Sequence, residues 1–104
     1  MKAAIYARCA SEQGSDMAIR VQLQDCHAYA VNQNIDIIKE YVDSGVSGIT
    51  EERPALQELL SAAQKHLFDA VIIQTRDRMS RFLAGYQELS NRLAADGIEI
   101  RSVL

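Results

Sequence analysis

The chain has 104 residues, a length that fits one domain and allows a real hydrophobic core. Hydrophobic residues make up 48% and charged residues 24%, as in ordinary soluble proteins, and no apolar run is long enough to span a bilayer. The net charge of −3 gives no reason by itself to expect a nucleic-acid partner, and Cys9 and Cys26 lack metal-ligand spacing. These features predict a reducing, cytoplasmic location without a signal peptide or membrane segment.

Strand and helix patterns alternate along the chain. Apolar runs predict four strands, over residues 2–8, 35–43, 68–75 and 98–104. Caps at Ser15 or Asp16, Pro54 at a helix start and Gly97 at a helix end predict helices over 15–32, 54–66 and 83–96. The alternation predicts an α/β fold with a mainly parallel central sheet of about four strands or more and helices on both faces. The last strand runs to the end of the chain, which indicates a piece of a longer protein.

The stretch after the third predicted strand, "TRDRMSR", concentrates positive charge. It places Arg76, Arg78 and Arg81 within six residues, with Asp77 between the first two. On a helical turn, residues 78 and 81 share a face because they are three apart, whereas Arg76 points elsewhere. If it stood alone, this stretch would be read as a solvated charged loop.

Two further arginines are predicted at the same edge of the sheet. Functional groups of a parallel α/β sheet collect beyond the carboxyl ends of its strands. Arg8 ends the first strand, and Arg53 closes the long loop after the second. Arginine is planar, always charged and able to donate two parallel hydrogen bonds to phosphate oxygens. Three arginine-bearing segments at one rim therefore predict a phosphate-binding site.

Several motifs occur together and in order: "AAIYAR", "VQLQ", "YVDSGVSG", "ERPALQELL", "FDAVIIQTRDRMSRF" and "DGIEIRSVL". In this combination the sequence resembles the catalytic domain of the serine recombinases, the resolvase/invertase family, over almost the whole chain. The resemblance implies a resolvase-like catalytic domain over residues 1–104 that ends before the dimerisation helix and the C-terminal DNA-binding region of the family. It also implies a cytoplasmic protein of DNA recombination, with a resolvase, integrase or invertase role in a transposon or phage.

The resemblance carries a reaction with it. In the family a serine attacks the DNA phosphodiester, a 5′-phosphoserine link forms and the 3′-hydroxyl leaves, before strands are exchanged within a tetramer and rejoined. No metal or nucleotide cofactor is implied. DNA is the implied partner, and dimers and tetramers are expected only of the full-length protein. The present chain is expected to bind DNA weakly, with strong dependence on salt.

Family roles carry over to the matching positions. The resemblance implies that Arg8 contacts the scissile phosphate and that Arg78 and Arg81 stabilise the pentacoordinate transition state, with Asp77 beside them as organiser or proton donor. The resemblance implies further phosphate contacts for Arg53 and Ser47 and a supporting role for Gln22. Further candidates for a phosphate-binding or supporting role are Ser80 and Tyr6. The last of these lies on the same side of its strand as Arg8, where it either orients that arginine or serves as a core residue.

The nucleophile position departs from the family pattern. Two residues after Arg8, where the family has its serine, this sequence has Ala10. Residues 8 and 10 point to the same side of a strand, so a hydroxyl at position 10 would reach a phosphate held by Arg8, whereas a methyl group cannot attack it. An inactive site is the first expectation. Ser11 is the second candidate, as a substitute nucleophile if the chain turns at Ala10, and Cys9 is the third.

Two other functions share these features. A recombinase-like domain kept for protein contact or regulation would explain the missing serine, although clustered arginines with no anion to bind would repel one another. A small α/β domain that binds a phosphorylated metabolite would also use the arginines. The metabolite domain would be stabilised against heat by its ligand and unaffected by DNA.

Overall fold

A computed structural model describes residues 1–9, 15–44, 53–80 and 82–104. Its centre is a four-stranded parallel sheet in the order β2-β1-β3-β4, formed by β1 (Lys2–Cys9), β2 (Asp36–Ser44), β3 (Ala70–Ile73) and β4 (Glu99–Ser102). The helices are α1 (Ser15–Asn32), α2 (Pro54–Gln64), α3 (Arg76–Met79) and α4 (Leu83–Ala95). The predicted fold class is confirmed. Within the described ranges, no helix is long and apolar enough to cross a membrane.

The central strand β1 is buried on both of its sides because helices cover both faces of the sheet. Successive side chains of a strand point to opposite faces. Ala3 and Ile5 belong to a cluster with Cys26 and other residues of α1, whereas Ala4 and Tyr6 belong to a larger cluster with residues of α2, α3 and α4. Alanines on both faces of a central strand let helices approach the sheet closely.

Some element boundaries differ from the sequence prediction. The stretch after β3, which the sequence predicts as a connection, contains the one-turn helix α3. β3 has four residues instead of the predicted eight, because its pairing with β1 and β4 ends once the chain turns into that helix. The second helix ends at Gln64, and His66 follows with a φ of 56°. Gly97 ends α4 as predicted, with a φ of 78° that glycine adopts without strain.

The strand order fixes where a site can form. β1 pairs with β2 on one side and with β3 on the other, so the chain leaves neighbouring strands in opposite directions beyond their carboxyl ends. A crevice opens at such a switch point in parallel α/β sheets, and ligands bind there. The end of β1 carries Arg8, and the segment after β3 carries α3, so these two elements meet at the crevice.

Candidate active site

Arg8 reaches from the end of β1 to the end of α3. Its Nε donates to the carbonyl oxygen of Arg78 at 3.1 Å, and its Nη2 donates to the carbonyl oxygen of Asp77 at 2.8 Å. The last carbonyls of a helix have no partner within the helix, so a guanidinium at this end satisfies them. Arg8 is only 4% exposed. Arg8, one residue before the end of the buried strand, therefore holds α3 against the sheet.

Gln22 fixes the backbone of Arg8. Its Oε1 accepts from the Arg8 N–H at 3.1 Å, and its Nε2 donates to the Arg8 carbonyl at 3.0 Å and to the Ala18 carbonyl at 3.3 Å. The side chain is fully buried. Through these bonds α1 holds the backbone of the residue two positions before Ala10, while the supporting role of Gln22 in phosphate binding stays a prediction.

Arg78 and Arg53 complete the cluster of guanidinium groups. Arg78 Nη1 donates to the Arg8 carbonyl at 3.3 Å, and Arg53 Nη1 donates to the Met79 carbonyl at 2.5 Å. Arg53 is 7% exposed and stands immediately before α2. The Nε atoms of both Arg53 and Arg78 are buried and have no hydrogen-bond acceptor among the described residues. We refer to Arg8, Arg53 and Arg78 as the arginine cluster.

Burial and mutual repulsion both act on the charges of the cluster. Burial is the main cause that lowers the pKa of Arg8; the neighbouring Arg53 and Arg78 cations lower it further, while Tyr6 and Asp77 act in the opposite direction. Arginine stays cationic at neutral pH even so. Three buried or half-buried cations thus lie together, and an anion placed between them would offset their desolvation and repulsion.

Asp77 is bonded both to the residue before α3 and to Arg8 of β1. Its carboxylate accepts a hydrogen bond from the Thr75 hydroxyl, and its backbone carbonyl accepts from Arg8. The side chain is exposed. The carboxylate therefore lies on the exposed side of α3, and its role as organiser or proton donor stays a prediction.

Tyr6 and Asp43 form a buried pair that supports the site from the side of α2. The Tyr6 hydroxyl donates to Asp43 Oδ2 at 2.9 Å, and the same carboxylate accepts from the N–H groups of Ala55 at 2.9 Å and Leu56 at 3.0 Å. Burial, together with the Asp43 charge and hydrogen bond, raises the pKa of Tyr6, so its hydroxyl stays protonated as a donor. Asp43 thereby caps the helix that begins one residue after Arg53.

Sequence reasoning did not identify Asp43 as a site residue. Two signals point to it in retrospect. It continues the alternation of buried Tyr41 along β2, and α2 begins with Pro54 but has no capping side chain of its own at Arg53. The free N–H groups at such a helix start need an acceptor, which a carboxylate from another element can supply.

Ser80 has its side chain turned to the protein. Its Oγ accepts from the Phe82 N–H at 3.3 Å, and a Cβ placed on Gly85 would collide with this Oγ. Ser80 is 8% exposed. Its hydroxyl therefore shapes the passage from α3 into α4.

Five predicted site residues remain. Ala10, Ser11, Ser47 and Arg81 lie outside the described residues. Cys9, the third nucleophile candidate, is half-buried at the end of β1. Across the described ranges, no group of three or more His, Cys, Asp or Glu side chains is arranged to hold a metal ion.

Sequence comparisons relate this chain to a known family. Residues 3–104 match the family model described as "Resolvase, N terminal domain". A Bacillus subtilis (strain 168) protein described as a candidate DNA recombinase is 37% identical over 95 residues. The match covers 89% of this chain but only 17% of that protein, so the chain corresponds to about a sixth of its relative's length.

Solved structures agree with the sequence relatives. The C-terminal catalytic domain of ISC1926 TnpA, an IS607-like serine recombinase, superimposes with a TM-score of 0.92 at 25% identity, over 100% of this chain and 71% of that one. The N-terminal catalytic domain of TP901-1 integrase gives 0.91 at 29% identity, over 99% and 78%. A resolvase family recombinase from Streptococcus pneumoniae shares the fold, with a TM-score of 0.87 at 22% identity, over 99% and 72%. The chain belongs to the resolvase N-terminal domain family, the family of serine recombinase catalytic domains.

Proposed function

We propose that this chain binds a DNA phosphodiester through the arginine cluster and does not itself form a phosphoserine bond, because Ala10 stands at the nucleophile position. In this proposal the chain is a recombinase catalytic domain that is inactive as it stands. Arg8 holds the phosphate nearest position 10, while Arg53 and Arg78 approach it from α2 and α3. The resemblance to the family adds Arg81 to the residues that are proposed to contact this phosphate.

One observation carries the proposal. The guanidinium groups of Arg8, Arg53 and Arg78 converge at the end of α3, and two of them keep a buried Nε–H without an acceptor among the described residues. Buried donors of this kind are costly unless a ligand or another group accepts from them. A phosphate diester has two non-bridging oxygens, each able to accept more than one hydrogen bond, so it fits this donor set.

The same arrangement suits phosphoryl transfer. Negative charge grows on the equatorial oxygens as a nucleophile approaches phosphorus, and fixed cationic donors stabilise that charge. The cluster is held by backbone contacts with α3 and by Gln22, so it needs little rearrangement when the charge develops. The rigid donor set therefore supports transition-state binding as well as ground-state binding.

The covalent step needs a hydroxyl that position 10 does not provide. With serine there, a bond would form between Oγ and phosphorus while the bond from phosphorus to the 3′-oxygen breaks. The serine would lose its proton, and the 3′-oxygen would gain one. The Ala10 methyl group has neither a lone pair nor a proton to give. This chain is thus proposed to hold the phosphate without cutting the DNA.

The proposal extends to the whole protein through its relatives. Since this chain spans 17% of the Bacillus subtilis relative, sequence-specific DNA binding and assembly into dimers and tetramers are proposed for parts of the protein outside residues 1–104. A cytoplasmic location is proposed with them, because the substrate is DNA.

A non-catalytic role is the second candidate, and Ala10 is the observation that favours it. A domain that has lost its nucleophile can still occupy a place in a recombinase assembly and bind DNA or a partner subunit. The arginine cluster would then serve binding alone. Ser11 as a substitute nucleophile is the alternative in which the chain is active.

Covalent trapping separates these possibilities. The native protein, its Ala10→Ser variant and an Ala10→Ser, Arg8→Ala double variant are incubated with supercoiled plasmid carrying candidate sites, and linked peptides are mapped by mass spectrometry. We expect a 5′-phosphate link at position 10 in the Ala10→Ser protein and none in the other two. A link at Ser11 in the native protein would disprove the proposal that the chain is inactive as it stands. Absence of any link in all three would leave the non-catalytic role.

A further inference from the structure

Arg76 belongs to the basic stretch after β3 but turns away from the arginine cluster. Its guanidinium carbon lies 5.5 Å from the centre of the Tyr86 ring, in the geometry of a cation–π contact. Arg76 is exposed and Tyr86 is half-buried on α4. The contact therefore presents an oriented positive charge to solvent.

The Arg76–Tyr86 pair lies on the same rim as the cluster. Arg76 is the first residue of α3, only three residues after β3 ends at Ile73. Tyr86 is in the first turn of α4, the helix that starts from the carboxyl end of β3 and returns towards β4. Both residues therefore stand beyond the carboxyl end of β3, at the edge of the sheet where Arg8 also lies.

The surroundings of the pair favour a nucleic acid over a small anion. Phe82 and Leu83, at the start of α4, are 61% and 67% exposed. The chain as a whole carries a net charge of −3, so the positive charge on this rim is local. A rim that carries an exposed arginine together with an exposed aromatic and an exposed aliphatic side chain suits an extended polyanion with flat bases.

We propose that Arg76, oriented by the Tyr86 ring, binds a DNA backbone phosphate next to the one held by the arginine cluster. This inference rests on the proposed function, since it places the same DNA strand across the rim. The ring limits the rotamers of the arginine before DNA arrives, so less conformational freedom is lost on binding. Arg76 touches no reacting atom in this arrangement and acts as a binding residue.

The salt dependence of DNA binding tests the inference. The native protein and its variants are titrated against a fluorescein-labelled duplex of random sequence, by fluorescence anisotropy, at a series of NaCl concentrations. Each phosphate contact contributes about one unit to the slope of log K against log salt. We expect Arg76→Ala to reduce that slope by about one, and Arg76→Lys to keep it. We expect Tyr86→Leu to keep the slope and to weaken binding about threefold.

Two comparison variants make the outcomes distinct. Arg92→Ala removes an exposed arginine from the last turn of α4, at the opposite edge of the sheet, and is expected to leave the slope unchanged. Arg78→Ala removes a member of the cluster and is expected to reduce it. An unchanged slope in Arg76→Ala with a reduced slope in Arg78→Ala would overturn this inference and leave the proposed function standing. Unchanged slopes in both would overturn both.

A protein partner is the other occupant of this rim. If Arg76→Ala left the slope unchanged but altered the oligomeric state in sedimentation, the pair would belong to a subunit contact, and the inference would be wrong. Thermal denaturation of each variant accompanies the titrations. Because both Arg76 and Arg92 are exposed, matched melting temperatures are expected for their alanine variants.

Discussion

The side-chain amide of Gln22 pairs with both backbone polar groups of Arg8. The N–H donates to Oε1 at 3.1 Å and the carbonyl accepts from Nε2 at 3.0 Å, as a neighbouring strand would do. The pairing of β1 with β3 ends at Ile5, before it reaches Arg8. Gln22 thus takes the place of a missing strand residue and extends the order of the sheet to the edge of the candidate site.

Removal of this amide should destabilise the domain. Gln22→Ala leaves the Arg8 N–H without its acceptor and weakens the bonding of the Arg8 carbonyl, which keeps Arg78 as a donor. We expect the free energy of unfolding to fall by about 2 to 4 kcal/mol, measured by urea denaturation. Gln24→Ala, at an exposed position of the same helix, is the control and should change it by less than about 0.5 kcal/mol. Equal effects of the two substitutions would contradict the role given to Gln22.

The Tyr6–Asp43 pair should behave as a coupled unit. Tyr6→Phe removes one hydrogen bond and should cost about 1 to 2 kcal/mol, whereas Asp43→Ala also removes the acceptor for two N–H groups of α2 and should cost more. In the Asp43→Ala background, Tyr6→Phe should cost about 1 kcal/mol less than it does alone. Urea denaturation of the four proteins in the cycle measures this coupling.

A residue at the opposite end of β2 provides a control for this cycle. Asp36→Asn changes an exposed carboxylate of the same strand and should leave the free energy of unfolding within about 0.5 kcal/mol of the native value. Strictly additive effects of Tyr6→Phe and Asp43→Ala would show that the hydroxyl and the carboxylate act independently, against the arrangement seen here.

The contrast between Arg8 and Asp43 shows what sequence could and could not predict. Alternating strands and helices predict a parallel sheet, and such a sheet collects the residues after its strands at one edge, so the common location of Arg8 and the segment around Arg78 follows from the pattern. The strand order that pairs β1 directly with β3 comes from the structure. The partners of these groups depend on tertiary packing. Asp43 caps a helix that begins eleven residues later, and no local pattern specifies that contact.

The contacts of the arginines in the structure also differ from those that the sequence predicts. Sequence reasoning predicts guanidinium groups aimed at a phosphate. In the structure, Arg8 and Arg53 donate to carbonyls at the end of α3, a helix too short for periodicity to reveal. The approach of these residues is thus a property of the fold, whereas their action on DNA stays a prediction.

Alkaline pH should weaken the domain through Tyr6. Its pKa is raised in the folded state, so its contribution is fully present below the unfolded pKa of about 10 and is lost as pH rises towards the folded value. The stability difference between the native protein and Tyr6→Phe should be constant below about pH 9 and shrink by about 1.4 kcal/mol per pH unit above pH 10. Urea midpoints measured across this range test the sign, and a difference that widened with pH would refute it.

Gly85 lies against the Ser80 side chain where α4 follows α3, and this proximity predicts how the domain responds to alanine at position 85. Alanine at position 85 would gain about 0.5 to 1 kcal/mol in helix propensity, but its Cβ would collide with the Ser80 hydroxyl. Overpacking of this kind costs about 1 to 3 kcal/mol, so we expect Gly85→Ala to destabilise the domain in thermal denaturation. The Ser80→Ala, Gly85→Ala double variant removes the colliding oxygen and should recover most of the loss, although the Ser80 Cβ stays 3.3 Å from the new methyl group. If the double variant were no more stable than Gly85→Ala, the hydroxyl contact would not be what keeps glycine at this position.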